Sequence, residues 1–264
     1  MTGSLWLSRV DFDLRHRTTR LALADARALY RIVLDAFPGV TSRQQAGVVY
    51  LYAPATAGQP PRLLVQSTAK PDWSFLPTYR GQSAAQVKDI SPFWDQVVTG
   101  ARYRFRLTAS PSRAVGGHGG NRIRGSRTPI RDPTEQIDWL TRVLHGAAEL
   151  THVQVTAPAT MTGRRGDRTL TLTSVTFSGA LAVTDPGRLR QQTIAGIGPG
   201  KAYGNGLLAM ASQPQQHRPP HARGGDAIWR VHTASDRVCP AQAAVIRYAF
   251  QTPPPGASAP RTRG

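Results

Sequence analysis

The sequence predicts an α+β fold of two tandem ferredoxin-like (RRM-like) βαββαβ units, and three features carry that expectation. Strand-like and helix-like patterns succeed one another as strand, helix, strand, strand in the first half of the chain, and a similar order returns after residue 130. Residues 101–109 alternate strictly, with Tyr103, Phe105 and Leu107 facing one way and Arg102, Arg104 and Arg106 the other. A glycine-rich loop, Gly196-Ile-Gly-Pro-Gly-Lys-Ala-Tyr-Gly-Asn-Gly206, runs into an apolar stretch at 207–211 that is placed to close a sheet.

In order, residues 5–12 read as a strand, followed by a basic loop holding Arg15, His16, Arg17 and Arg20. A helix over 22–36 comes next, because Ala26, Leu29, Tyr30, Val33 and Phe37 recur at helical spacing and Pro38-Gly39 stops it. Residues 47–52 and 62–67 form strands across a Pro/Gly turn. An aromatic connector at 72–76 stands where a second crossover helix belongs, and the strand at 101–109 closes the unit. In the second unit a Gly/Arg-rich loop spans 113–131, and a helix covers 134–145 behind Asp132-Pro133. Strands at 151–156 and 169–177 flank a turn at 163–168, a strand end lies at 181–183, and a short helix at 186–192 enters the glycine loop. Beyond that, Pro, Gln, Arg and Gly dominate, and only 228–231 and 243–250 look capable of order. The expected domains are 1–109, 110–212 and a largely flexible tail, 213–264.

Charge narrows the partners. Lys and Arg number 33 against 15 acidic residues, a formal charge of +18, and most of the excess is arginine. Arginine's planar fork suits phosphate and base-edge contacts, so a nucleic acid is the expected partner. A coding bias toward Arg, Ala, Gly and Pro explains part of the excess, but such a bias raises acidic residues as well. No segment approaches the roughly 20 apolar residues that span a bilayer, which argues against a membrane. The start of the chain lacks the apolar core of a signal peptide. Cys239 is the only cysteine, and the seven histidines show no metal-ligand spacing. A cytoplasmic protein without metal or cofactor is expected.

Five glycines around Lys201 fit an anion-holding turn, because successive backbone N–H groups can converge on a phosphate where no Cβ intervenes. Commoner motifs fail. A P-loop needs Ser or Thr after its Gly-Lys and an earlier Gly, and this chain has Ala202 and Ala195 at those places. Residues 204–209 fit a dinucleotide turn, but a Pro-rich tail follows instead of a βαβ unit. A loop that merely packs closely against a neighbouring strand remains the competing reading.

Three segments together resemble the CRISPR repeat-RNA endoribonucleases of the CasE type, the processing subunits of type I-E Cascade complexes. They are the glycine loop through Leu207-Leu-Ala209, the strand Tyr103-Arg-Phe-Arg-Leu-Thr-Ala-Ser-Pro111, and Trp6-Leu-Ser-Arg-Val10 leading through a basic loop to a helix ending in Phe37-Pro38. The likeness covers about residues 5–212. It implies binding of a repeat hairpin in precursor CRISPR RNA and cleavage at its base by metal-independent attack of a 2′-hydroxyl. It also implies retention of the guide with other Cascade subunits, and a monomer outside that complex.

The resemblance breaks at one place. The family's Tyr-x-x-His-Arg arrangement falls on Arg27-Ala-Leu-Tyr30-Arg31, so Tyr30 occupies the histidine position. A free phenol titrates near 10 against about 6.5 for imidazole, so little phenolate exists at neutral pH. Tyr30 acts as acid or orienting group beside Arg27 and Arg31, or His16 swings in as the imidazole, or cleavage is weak and the chain is an RNA-binding subunit. The plain alternatives are a Tyr30 ring packed on the sheet and a solvated His16. Arg15, Arg17, Arg102, Arg104, Arg106, Arg122, Arg124, Arg127, Arg164, Arg165 and Arg168 are the expected RNA contacts, with Gly198, Gly200 and Lys201 of the loop. Three like charges in a row on one strand repel unless something anionic lies across them.

Overall fold

The computed structural model describes residues 3–114, 127–156, 159–165 and 168–212. The expected tail, with its stretches at 228–231 and 243–250, lies outside them, as do Arg122 and Arg124. The first sheet is built from β1 (Trp6–Asp11), β2 (Val49–Ala53), β3 (Arg62–Ser67) and β4 (Ala85–Asp89), in the antiparallel order β2-β3-β1-β4. That is the ferredoxin order. Between β1 and β2 run α1 (Arg17–Ala24) and α2 (Ala26–Asp35). Leu29 and Val33 of α2 are buried in a cluster with Val10, Tyr50, Leu63 and Val65 of the sheet.

The single helix expected over 22–36 is in fact these two. Asp25 breaks the run: its backbone is extended (φ −131°, ψ 123°), and its carboxylate accepts a bond from the Arg27 N–H at 3.1 Å. The side chain thereby satisfies an amide that a helix start leaves without a partner.

Residues 68–84 replace the second crossover helix with coil. The segment is pinned by the Trp73 indole, which donates to Ser8 Oγ at 3.0 Å, and by the Asp72 N–H, which donates to the Ala36 carbonyl at 2.8 Å. Near its end a tight turn brings Tyr79 and Gln82 together through reciprocal backbone bonds of 2.9 and 3.1 Å. Both central residues have positive φ, Arg80 at 50° and Gly81 at 78°. Arg80 is the one non-glycine residue in that region among those described, at a cost of roughly 1–2 kcal/mol.

The second sheet corrects the expected strand assignment. β5 (Arg102–Ala109) does not close the first unit; it is central in the second, between β10 (Arg168–Val183) and β11 (Leu208–Ser212), in the order β11-β5-β10-β8, with β8 at Ala148–Val155. Leu107 pairs with Phe177 on one side and Leu208 on the other. The place beside β1 is taken by β4, whose polar sequence Ala-Gln-Val-Lys-Asp suits an exposed edge. A short helix, α3 (Ser91–Asp95), separates the sheets in sequence. The strands expected at 169–177 and 181–183 are one strand, β10, and its first half forms a hairpin with β9 (Ala159–Arg165). The short β6 (Ser112–Ala114) and β7 (Arg127–Pro129) pair with each other.

Helices α4 (Pro133–Leu144) and α5 (Pro186–Ala195) complete the second unit. Asp132 and Asp185 cap them by accepting the N–H of Glu135 and Arg188, each at 2.9 Å. Leu140, Leu144 and Leu189 close over Tyr103, Phe105, Leu107, Phe177 and Leu181. On the opposite face Arg102, Arg104 and Arg106 pair with Ala182, Ala180 and Ser178 of β10, and β11 places Ala211 and Ala209 beside Arg104 and Arg106. Small neighbours leave Arg102 and Arg104 exposed and Arg106 half-buried.

Candidate functional site

The glycine loop leaves α5 and returns to β11, and all five of its glycines have positive φ, from 77° at Gly196 and Gly198 to 93° at Gly206. Space is as restrictive as conformation. A Cβ at Gly206 would lie 2.8 Å from the Ile197 carbonyl oxygen; at Gly200 it would lie 2.6 Å from Leu172 Cδ2, and at Gly198 2.8 Å from the Trp139 ring. These glycines therefore let the loop fold onto itself and its neighbours, which is the packing alternative. The result is a short 3₁₀ turn, Lys201–Tyr203, held between left-handed Gly200 and Gly204.

That turn docks on the first sheet. The Tyr50 hydroxyl of β2 donates to the Ala202 carbonyl at 2.5 Å, and a Cβ at Gly204 would sit 3.2 Å from the Tyr50 ring. Burial pushes the Tyr50 phenol well above its usual value, and the neighbouring phenols of Tyr30 and Tyr203 push it further. The α2 helix, which carries Tyr30, is in contact with the turn that carries Tyr203, and both phenols lie within electrostatic reach of Tyr50 on β2. The Lys201 stem crosses the loop, so that a Cβ at Gly196 would be 3.1 Å from its Cε. Burial, and then the charge of Arg43, lower the pKa of the Lys201 amine. A lysine with a lowered pKa, held in a close-packed turn, can stabilise a developing negative charge and exchange a proton more readily than a free lysine.

The other expected residues distribute around this centre. Arg27 and Arg31 are exposed on α2, while Tyr30 is half-buried against the core of the first sheet. His16 is exposed at the start of α1; its amide donates to the Asp13 carbonyl at 3.2 Å and its carbonyl accepts from Arg20 at 3.2 Å. Arg15 makes a two-pronged ion pair with Asp13, its Nη2 2.6 Å from the carboxylate, which holds the Asp13 pKa down at about 2. Arg17 is exposed as the first residue of α1. Arg127 is exposed on β7, with Nη1 3.3 Å from Ser112 Oγ. Arg164 and Arg165 end β9, and Arg168 begins β10. Among the described residues no three His, Cys, Asp or Glu side chains converge on a metal-sized site, and no helix is long and apolar enough to cross a membrane.

Sequence reasoning missed Tyr50, Tyr203 and Arg43. Tyr203 lies within the glycine motif and was open to view. Tyr50 carries no local signal, since its bond to Ala202 spans 152 positions.

The chain thus consists of two ferredoxin-like sheets, one bearing a row of arginines and joined to the other by a lysine-bearing glycine turn. The chain belongs to the CRISPR associated protein family, whose sequence profile matches residues 5–212. It is 30% identical over 220 residues to the CRISPR-associated endoribonuclease Cse3 of Thermus thermophilus, covering 78% of this chain and all of that protein. It is 31% identical over 122 residues to the Cascade subunit CasE of Escherichia coli, covering 44% of this chain and 61% of the relative. The structure of Thermus thermophilus Cse3 bound to an RNA representing a pre-cleavage complex superimposes with a TM-score of 0.67 at 31% identity, over 79% of this chain and 99% of that one.

Proposed function

We propose that this chain is a CRISPR RNA-processing endoribonuclease of the CasE type. It binds the repeat hairpin of precursor CRISPR RNA, cuts it, and keeps the guide within a cytoplasmic Cascade assembly. The observation that carries this reading is the contact of α2, which bears Tyr30, with the glycine turn that bears Lys201 and Tyr203, in a chain whose relatives include an endoribonuclease and a Cascade subunit.

The proposed reaction needs no metal. A ribose 2′-hydroxyl passes its proton to the Lys201 amine in its neutral form, and its oxygen attacks the adjacent phosphorus. The bond from phosphorus to O5′ breaks, the leaving oxygen takes that proton from the Lys201 ammonium, and a 2′,3′-cyclic phosphate remains. Tyr30 orients the nucleophile and holds a proton at its phenol oxygen. The Lys201 ammonium faces the charge that builds on the phosphorane, and its lowered pKa suits it to proton exchange. Gly198 and Gly200 act through Lys201, by letting the turn close. Arg27 and Arg31 hold neighbouring phosphates, and the arginines of β5 track the RNA backbone, since duplex RNA is read largely by shape and phosphate. In this reading His16, exposed at the start of α1, takes no part in the proton transfers.

Cleavage of a labelled repeat hairpin in EDTA tests this. Wild type is expected to yield a cyclic-phosphate product, Lys201→Met to slow it by about 10²–10³ as for the loss of one oxyanion donor, and His16→Ala to leave it unchanged. Tyr30→Phe is expected to slow it as well. Tight binding without product, with cutting gained in Tyr30→His, would overturn the enzymatic reading and leave a binding subunit.

A further inference from the structure

The segment at 68–84 is long for a connection without regular structure, and such connections in compact domains tend to carry binding function. It is not loose. Trp73 is buried and bonded to Ser8, and the far end is tied where the Asp11 N–H donates to the Ala84 carbonyl at 2.9 Å. What it presents is aromatic and cationic. Phe75, 48% exposed, stacks on Trp73 with ring centroids 6.3 Å apart, and the Arg80 guanidinium lies over the Tyr79 ring at 5.4 Å.

The turn is also strained at the residue that supplies the charge. Asn or Gly at position 80 accepts positive φ readily, and both are the ordinary choices in such a turn. Arginine there keeps a cation beside an aromatic face against the local preference, and an observed backbone outlier of this kind points toward function. The turn does not stand alone. Arg15, with its side chain 80% exposed and its guanidinium clamped by Asp13, lies within electrostatic reach of Tyr79.

An aromatic face flanked by arginines fits a nucleotide whose base is free to stack and whose phosphates can be tracked. Bases inside a duplex are already stacked on one another, so the partner is an unpaired nucleotide. We infer that the Tyr79–Arg80 turn, with Arg15, is a stacking site for a single-stranded nucleotide flanking the stem of the bound RNA. This rests on the reading of the chain as a repeat-RNA enzyme and places a second contact apart from Tyr30 and Lys201.

Full-length wild type, Arg80→Asn and Tyr79→Leu would be titrated with three RNAs. These are the bare repeat hairpin, the hairpin carrying 2-aminopurine in an unpaired 5′ or 3′ flank, and an unstructured oligouridylate. Both variants are expected to bind the bare hairpin as wild type does. They are expected to lose about tenfold in affinity for the flanked hairpin and for oligouridylate, in line with one lost stacked base, and to abolish the 2-aminopurine quench. Arg80→Asn is expected to melt no lower than wild type, which separates lost contact from lost fold. Unchanged affinity for flanked RNA in both variants, or an equal loss on the bare hairpin, overturns the stacking site and leaves the enzymatic reading intact. A wild type that ignores the hairpin overturns the enzymatic reading, and the oligouridylate titration then decides the stacking site by itself.

Discussion

At the scale of single residues, Lys201 is where chemistry and folding pull against each other. Its folded pKa lies below the ordinary 10.5, because burial and Arg43 both disfavour the charged amine. Between the folded and unfolded pKa values the unfolded chain binds more protons, so stability rises with pH across that window. Lys201→Met removes the effect. The stability of wild type relative to this variant is therefore expected to climb as pH rises toward 10.5, measured by urea unfolding at a series of pH values. A flat difference would mean that the amine is not perturbed. RNA phosphate acts in the opposite sense by favouring the ammonium, so binding between the lowered folded pKa and 10.5 is expected to take up protons. Lys201 could be picked out from sequence because its glycines form a local pattern. The environment that shifts its pKa could not, because Arg43 belongs to the other sheet's unit and meets the turn only in space.

At the scale of elements, the break at Asp25 sets the start of α2, and with it the position of Tyr30. Asp25→Ala removes the cap on the Arg27 amide and is expected to cost about 1 kcal/mol of stability. It also permits α1 and α2 to run on as one helix, which would turn Tyr30 away from the Lys201 turn. The expected outcome is undiminished helicity by circular dichroism with reduced cleavage; reduced helicity with full cleavage would count against a positioning role. The break was within reach of the sequence, since an aspartate directly before an apolar-periodic run is a capping signal. It was hidden by the continuity of the spacing from Ala22 to Phe37. The misplacement of β5 has a different cause. Alternation shows that a strand has one covered face but says nothing of which sheet covers it, and β4 is too short and polar to announce itself as the competing partner.

At the scale of the whole molecule, residues 1–212 form one compact unit although they contain two large sheets beside the small β6–β7 pair. The join is a row of close contacts between the first sheet and the path from α5 through the glycine turn. Gln66 Nε2 donates to the Thr193 carbonyl at 3.0 Å, the Ile194 and Val49 side chains press on Gly47 and Gly196, and Tyr50 holds Ala202. Gln66, Val49, Leu51 and Leu64 are buried, and Leu5, just before β1, belongs to the core of the second sheet. Pulling the sheets apart would expose this apolar surface and leave the buried Gln66 amide without its acceptor, a loss that neither sheet can absorb alone. Calorimetry on residues 1–212 is therefore expected to show a single transition whose van't Hoff and calorimetric enthalpies agree. A fragment ending at residue 100 is expected to show no cooperative melt. Two resolved transitions would make the Tyr50–Ala202 contact a docking contact between independent domains, and the geometry at Tyr30 and Lys201 would then depend on docking. With one transition, the contact of α2 with the Lys201 turn is part of the fold itself, and substitutions at Gln66 should reach cleavage through the same loss of stability.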